Sequence, residues 1–177
     1  MRKRFKRLKK ILQALDVEVG DDSEETLEKI QAGMFLTQLM SQSKSGELDL
    51  TGQTGYFFKW HDGPHAPSLN EAYRDLVNYM RFENATNGYE IDTPSLAEHA
   101  SVLSGHLNIP SDVSRAKWLQ MLAVVAYLRA AAGWEKECAK EEAASVLPSE
   151  VDQYFEQAEN QVWELLDLST DSIPAHA

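Results

Sequence analysis

At 177 residues the chain has room for one domain and scarcely for two, and a domain of that length buries roughly 70% of the surface its unfolded form exposes, so it needs no disulfide or metal to hold together. Hydrophobic residues make up 43% and charged residues 25%, which excludes wholesale disorder, and the longest apolar stretch, Trp118–Leu128, is broken by Gln120 and falls short of the ~20 residues of a membrane span. One cysteine, Cys138, excludes an internal disulfide and suits a reducing cytosol, while a formal net charge of −11 sets the body of the chain against phosphate backbones.

That charge is uneven. Arg2, Lys3, Arg4, Lys6, Arg7, Lys9 and Lys10 all fall in the first ten positions, so the remainder of the chain holds 28 acidic side chains against ten basic ones. The start is basic enough for a signal peptide, but no apolar core or small-residue cleavage site comes after it. Phe5, Leu8, Leu12 and Leu15 recur at three- and four-residue steps, which predicts a helix with one apolar stripe in an arm over 1–20. Two uses suit such an arm: docking on its own domain through the stripe, or meeting nucleic acid, a membrane surface or an acidic partner through its charges.

Asp22 with Glu25 forms a capping box, and Leu27, Ile30, Met34 and Leu39 with Phe35 and Leu36 predict an amphipathic helix ending near Ser41–Ser45. Gly46, Gly52 and Gly55 mark 43–55 as a loop. Tyr56–Trp60 has the aromatic content of a strand and stops at His61-Asp62-Gly63-Pro64. Ser68 with Glu71 is a second capping box, opening a helix to about Phe82 with Leu69, Tyr73, Leu76, Val77 and Met80 on one side. Asn84–Asp92 reads as a connector in which Tyr89 and Ile91 offer a second extended strip. Thr93-Pro94 starts the next helix, lined by Leu96, Ala100, Leu103 and Leu107 and closed by Pro110.

From Ser111 or Ser114 to Ala132, ended by Gly133, apolar residues cover nearly the whole circumference of a helix, the pattern of the central one. A charged helix over Glu135–Val146 comes next. The last helix, Ser149 to about Leu168, turns Val151, Phe155, Ala158, Val162, Leu165 and Leu166 inward, and Trp118 and Trp163 fall on apolar faces as core residues. The sum is a mainly α fold: a single compact helical domain over 21–168, of about six or seven helices with at most a small β-hairpin, then a disordered tail over 169–177.

No catalytic constellation stands out. His61 and His65 are close in sequence, but zinc needs three or four ligands, and Cys138 lies far along the chain in a charged helix. His99 and His106 stand two helical turns apart. All four read as polar turn or surface histidines, and no metal or cofactor is expected. Gly52-Gln-Thr-Gly55 lacks the lysine and the helix of a phosphate loop, and no serine sits in a nucleophile elbow. Trp134, after Gly133 at a helix boundary, divides between core packing and a half-exposed partner anchor.

The segment Phe57-Phe58-Lys59-Trp60-His61-Asp62-Gly63-Pro64-His65-Ala66-Pro67-Ser68-Leu69 runs an aromatic strand into a Gly-Pro turn and a capped helix. It resembles the central motif of the YwgA-type proteins and the related Panacea (SocA-like) antitoxin domains. Ile30-Gln31-Ala32-Gly33-Met34 is similar to their Leu-Gln-Lys-Leu-like first helix, with Gly33 where the lysine usually stands. Trp118–Leu128 and Val151–Leu166 resemble the C-terminal helix pair of the YwgA type. Independently of any family, Gly63 admits a positive φ and Pro64 fixes the next one, so the corner is rigid. It serves as a structural joint or as a binding surface that exposes His61, Asp62 and His65 beside Trp60.

The resemblance implies a non-enzymatic protein-interaction domain, antitoxin-like or regulatory, in a bacterial or phage conflict system. Its expected partner is another protein, such as a basic toxin or effector, met in the cytoplasm through Trp60, His61, Asp62, His65 and Trp134. The alternative is a DNA-binding transcriptional regulator whose basic arm grips phosphates, although Ser68–Phe82 sets Arg74 and Arg81 against Glu71 and Asp75. An enzyme with a site assembled from distant residues comes third. Apolar area exposed after Gly133 would favour a homodimer.

Overall fold

The apolar stripe of the basic arm is buried: Phe5, Leu8, Leu12 and Leu15, joined by Ile11, face inward from helix α1 (Lys3–Ala14). The structure, a computed structural model, describes residues 3–21, 23–43, 56–83 and 94–171, with the backbone alone at some helix ends. Among these residues the chain forms six further helices and one two-stranded sheet. The helices are α2 (Glu24–Ser43), α3 (Pro67–Glu83), α4 (Pro94–Gly105), α5 (Arg115–Ala126), α6 (Lys136–Val146) and α7 (Pro148–Asp171). The fold is mainly α, as the periodicity predicts.

Helix α1 ends where Asp16 takes a φ of 58° and the Val17 N–H donates to the Leu12 carbonyl, a left-handed cap in which Leu12 and Val17 are both buried. The Lys29 ammonium on α2 donates to the Asp16 carbonyl at 2.6 Å, tying this turn to the next helix. The stripe then packs α1 against α4 and α3.

The cap expected at Asp22 lies outside the described residues. Ser23 serves at this end: its carbonyl and hydroxyl accept the Leu27 and Thr26 N–H groups. The Asp21 carboxylate accepts from the Thr26 and Ser23 hydroxyls and the Ser23 N–H, and these bonds, Thr26 first, hold it below the usual carboxylate range. Helix α2 is more than amphipathic, because every residue from Ile30 to Met40 is buried. Its buried polar side chains are uncharged, and two of them bond to backbone: Thr37 donates to the Gly33 carbonyl at 2.7 Å and Gln38 to the Tyr56 carbonyl at 3.2 Å. Gly33 is glycine for room, since a Cβ there would stand 2.9 Å from Leu15 Cδ1.

Helix α5 has the central place its composition predicts, between α2 and α7, with Trp118 and the run Met121–Ala126 buried. Its N-cap is Ser114, whose side chain accepts from the Lys117 N–H. Beyond Ala126 the chain widens into a π-helical turn, Tyr127–Ala131, and Gly133 ends it at a φ of 68°. Trp118 donates its indole N–H to Gln161 at 2.7 Å, and Gln161 donates to the His106 carbonyl at 2.8 Å, so one buried amide joins α5, α7 and the end of α4.

Several expectations shift. Helix α3 begins at Pro67 rather than after a cap at Ser68, because proline at the first helical position has no N–H to satisfy. Helix α7 continues to Asp171, into the segment expected to be a tail, and the rest of that segment lies outside the described residues. Trp163 is 41% exposed instead of buried, being one residue off the stripe of Val151, Phe155, Ala158, Val162 and Leu165 that faces the core. Residues 44–55 of the expected loop and the strip at Tyr89 and Ile91 also lie outside the described residues.

One buried side chain fixes how the hairpin meets the helices. Gln31 Nε2 donates to the Ala66 carbonyl at 2.9 Å, and Gln31 Oε1 accepts the Ala66 N–H at 2.9 Å. Gln31→Leu leaves the Ala66 N–H buried without an acceptor, while the Ala66 carbonyl keeps the Leu69 N–H, at a cost of about 1–3 kcal/mol. Urea unfolding should register that loss. Gln31→Glu should be less stable at pH 7 than near pH 4, since only the protonated acid can restore the donated bond; equal stability at both would show that the lock is dispensable.

Candidate functional site

The Gly-Pro corner is a three-residue hairpin loop. Strand β1 (Lys59–Trp60) pairs antiparallel with β2 (Pro64–His65), Lys59 opposite His65 and Trp60 opposite Pro64. The His61 N–H donates to the Gly63 carbonyl across the loop at 2.9 Å. Asp62 sits at a φ of 50° and Gly63 at 119°, a conformation that glycine accepts freely and aspartate tolerates better than most residues. The loop holds His61 and Asp62 out to solvent and buries Gly63 and Pro64. Gly63 lies against α5, where a Cβ would meet Val124 Cγ2 at 3.6 Å.

The strand is shorter than Tyr56–Trp60 for a local reason. Pro64 has no N–H to donate, and both polar groups of the Ala66 peptide are taken by Gln31. The ladder therefore stops after two pairs, and the aromatic residues ahead of it pack instead of pairing. Phe58 is buried edge-on against Phe35, ring centroids 5.4 Å apart, whereas Phe57 is 50% exposed.

Trp60 is half-buried and turned into the fold. Its indole N–H donates to Glu142 Oε1 on α6 at 2.9 Å, and its ring lies 5.2 Å from that of Tyr127 in the π turn. Of the residues predicted for the corner, His61, Asp62 and His65 carry its accessible surface, and Trp60 braces it from behind.

Between the corner and the helices opens a cleft of about 350 Å³. Helix α2 lines it with Glu24, Leu27, Glu28, Gln31 and Ala32, the corner with His61 to His65, α3 with Asn70, and α5 with Gln120 and Ala123. Asn70 Oδ1 accepts a second bond from Gln31 Nε2 at 2.8 Å. Burial pushes the Glu28 carboxyl above the usual glutamate range, and Glu24 and Glu25 add to the effect against the pull of Lys117. Gln120 Oε1 is buried and accepts no hydrogen bond among the described residues. The His61 and His65 rings face each other at 6.3 Å between centroids, and no group of three or more His, Cys, Asp or Glu among the described residues is placed to hold a metal ion.

The remaining expected residues lie elsewhere. Trp134 is 42% exposed outside the cleft lining, its carbonyl accepting from Arg129. Arg129 also pairs with Glu159 at 2.5 Å, and Lys136 lies 3.4 Å from the same carboxylate, so ion pairs neighbour this tryptophan. In the basic arm Arg2 is outside the described residues, Lys3, Arg4 and Lys6 fall on α1, Arg7 is exposed, and Lys9 and Lys10 are half-buried. Cys138 is exposed on α6. His99 is buried on α4, contrary to a surface reading, because it shares the inward face with Ala100 and Leu103. His106 is exposed.

Sequence reading missed Glu24, Glu28, Asn70 and Gln120 as parts of one site. The available signal was polar residues inside otherwise apolar stretches: Gln31 within α2 and Gln120 within α5. No helix among the described residues is long and apolar enough to cross a membrane. Comparison with protein-family models, curated proteins and solved structures found no match to this chain.

The raised Glu28 carboxyl makes a signed prediction. The groups around it are Glu24 and Glu25 on its own helix, Lys117 on α5, and His61, Asp62 and His65 across the cleft. The folded state bears the cost of an ionised Glu28 once pH exceeds the folded value, and bears none below the ordinary glutamate value of 4.5, where both states are protonated. Glu28→Gln should therefore melt higher than the parent at pH 7, with the gap closing as pH falls below the glutamate range. A lower melting temperature for the variant at pH 7 would mean that Glu28 is held by an ion pair instead.

Proposed function

We propose that the chain is a non-enzymatic protein-interaction domain, antitoxin-like or regulatory in role, whose contact surface is the His61–His65 corner and the cleft beside it. The observation that carries this reading is the cleft, where an exposed loop tip, three carboxylates and a buried amide meet on a rigid frame. The corner has the features of a preformed surface: a loop with two consecutive positive φ values, fastened to α2 through Gln31 and braced on α6 through Trp60. Phe57, half exposed two residues ahead of β1, adds an aromatic surface of the kind that anchors partners.

Charge points to the partner's character. A chain of net charge −11 draws basic proteins toward it and speeds their encounter. The likeness of the corner to the Panacea and YwgA-type motif supports the same reading and supplies its antitoxin-like sense.

The test is a tagged chain isolated from its own host at native level, with any stoichiometric partner identified and re-bound as a purified pair. Phe57→Ala combined with Asp62→Asn should weaken that pair about tenfold or more while leaving the melting temperature near the parent's, since both side chains are exposed. A partner whose affinity ignores both substitutions would place the interface elsewhere.

A further inference from the structure

The cleft gathers three carboxylates with no ammonium or guanidinium among its lining side chains; its donor-bearing residues are His61, His65 and the amides of Asn70 and Gln120. Glu24 and Glu28 enter it from α2, Asp62 from the hairpin tip and Gln120 from α5, and no lysine or arginine lines it among the described residues. Lys117, the cation that bears on Glu28, lies 3.8 Å from the Glu150 carboxylate. Gln120 Oε1 is buried with no donor among the described residues, and the Gln31 amide is committed to Ala66 and Asn70.

A half-buried carboxylate that shares a cleft with a neutral acceptor favours a cation that is weakly hydrated and carries several N–H groups. A guanidinium fits that description better than an ammonium: it is planar, offers five donors in a fixed fork, and loses less hydration on burial. At about 350 Å³ the cavity is near the lower end of ligand pockets, a size for one side chain and not for a docked element.

We infer that the cleft receives an arginine side chain presented by a basic segment of the partner protein, its guanidinium held by the Glu28 carboxylate and Gln120 Oε1 with Glu24 and Asp62 alongside. This rests on the interaction reading above and names the chemistry of its partner. A protein segment is favoured over free arginine because the acidic character extends beyond the cleft to the chain after residue 10, which holds 28 acidic side chains against ten basic ones.

The experiment titrates the full chain with the peptide acetyl-Gly-Arg-Gly-amide and follows the Gln120 side-chain amide and the His61 and His65 ring signals by NMR. Saturable shifts by about 10 mM peptide are expected, weaker with lysine in place of arginine and absent with the uncharged citrulline. Glu28→Gln should weaken binding about tenfold, and because that variant is expected to melt higher at neutral pH, the loss cannot be put down to unfolding. Gln120→Leu should also weaken it. No saturable shift, or shifts that survive Glu28→Gln, would overturn the assignment. Free arginine binding as tightly as the peptide would overturn the protein source. If a partner is re-bound through the corner while the arginine peptide moves nothing, this inference falls and the interaction reading stands.

Discussion

Two hydrogen bonds between the Gln31 side chain and the Ala66 peptide hold the hairpin onto α2, and the geometry of the candidate site descends from them. An amide side chain carries one donor edge and one acceptor edge, as a backbone peptide does, so Gln31 takes the place of the strand residue that would otherwise have paired with Ala66. This replacement stops the ladder after two pairs and hands the chain directly to α3 at Pro67. It also sets the loop tip against the N-terminal half of α2, which is where the cleft opens. Buried as it is, this pairing leaves little freedom, because the Ala66 N–H has its acceptor in Gln31 and would be desolvated for nothing without it.

The bracing on the far side is of another kind. Phe58, Phe35, Tyr127 and Trp60 make a run of ring contacts from the strand to the π turn, with centroid separations between 5.2 and 5.8 Å. The wider π turn ends in the left-handed Gly133, and Arg129 ties it to Glu159 on α7. The corner is thus held by directional hydrogen bonds on the α2 side and by aromatic packing with one charged acceptor, Glu142, on the α6 side. On the proposed reading, that two-sided support lets a loop of three residues present a fixed surface.

Much of the helical frame was legible in the sequence because it rests on local rules. The all-round apolar pattern of α5 identified the central helix, Ser114 was among its expected caps, and Gly133 was its expected end. The stripe of α1 was equally plain. What escaped were pairings between residues distant in the chain. Gln31 reads as one polar residue in a helix until Ala66, 35 positions on, is seen to need both its edges. Glu24 and Glu28 become parts of a site only where the hairpin, 33 or more residues on, is laid across them. Trp163 misled because apolar character alone does not fix a helical angle, and a single residue of offset carried it off the core stripe.

The make-up of the cleft is hard to explain by folding alone. Glu28 is raised by burial, so its ionised form disfavours the folded state at neutral pH, and a glutamine there would keep the shape without the charge. Gln120 places a polar group within the apolar run Trp118–Ala126 of α5, and its oxygen has no donor among the described residues. Asp62 occupies a left-handed position where glycine or asparagine would serve the backbone as well. Each departure adds an acceptor or a negative charge to the same small volume, and none improves packing. On the proposed reading, an entering guanidinium offsets the buried charge of Glu28 and supplies a donor to Gln120, with Asp62 adding charge at the rim.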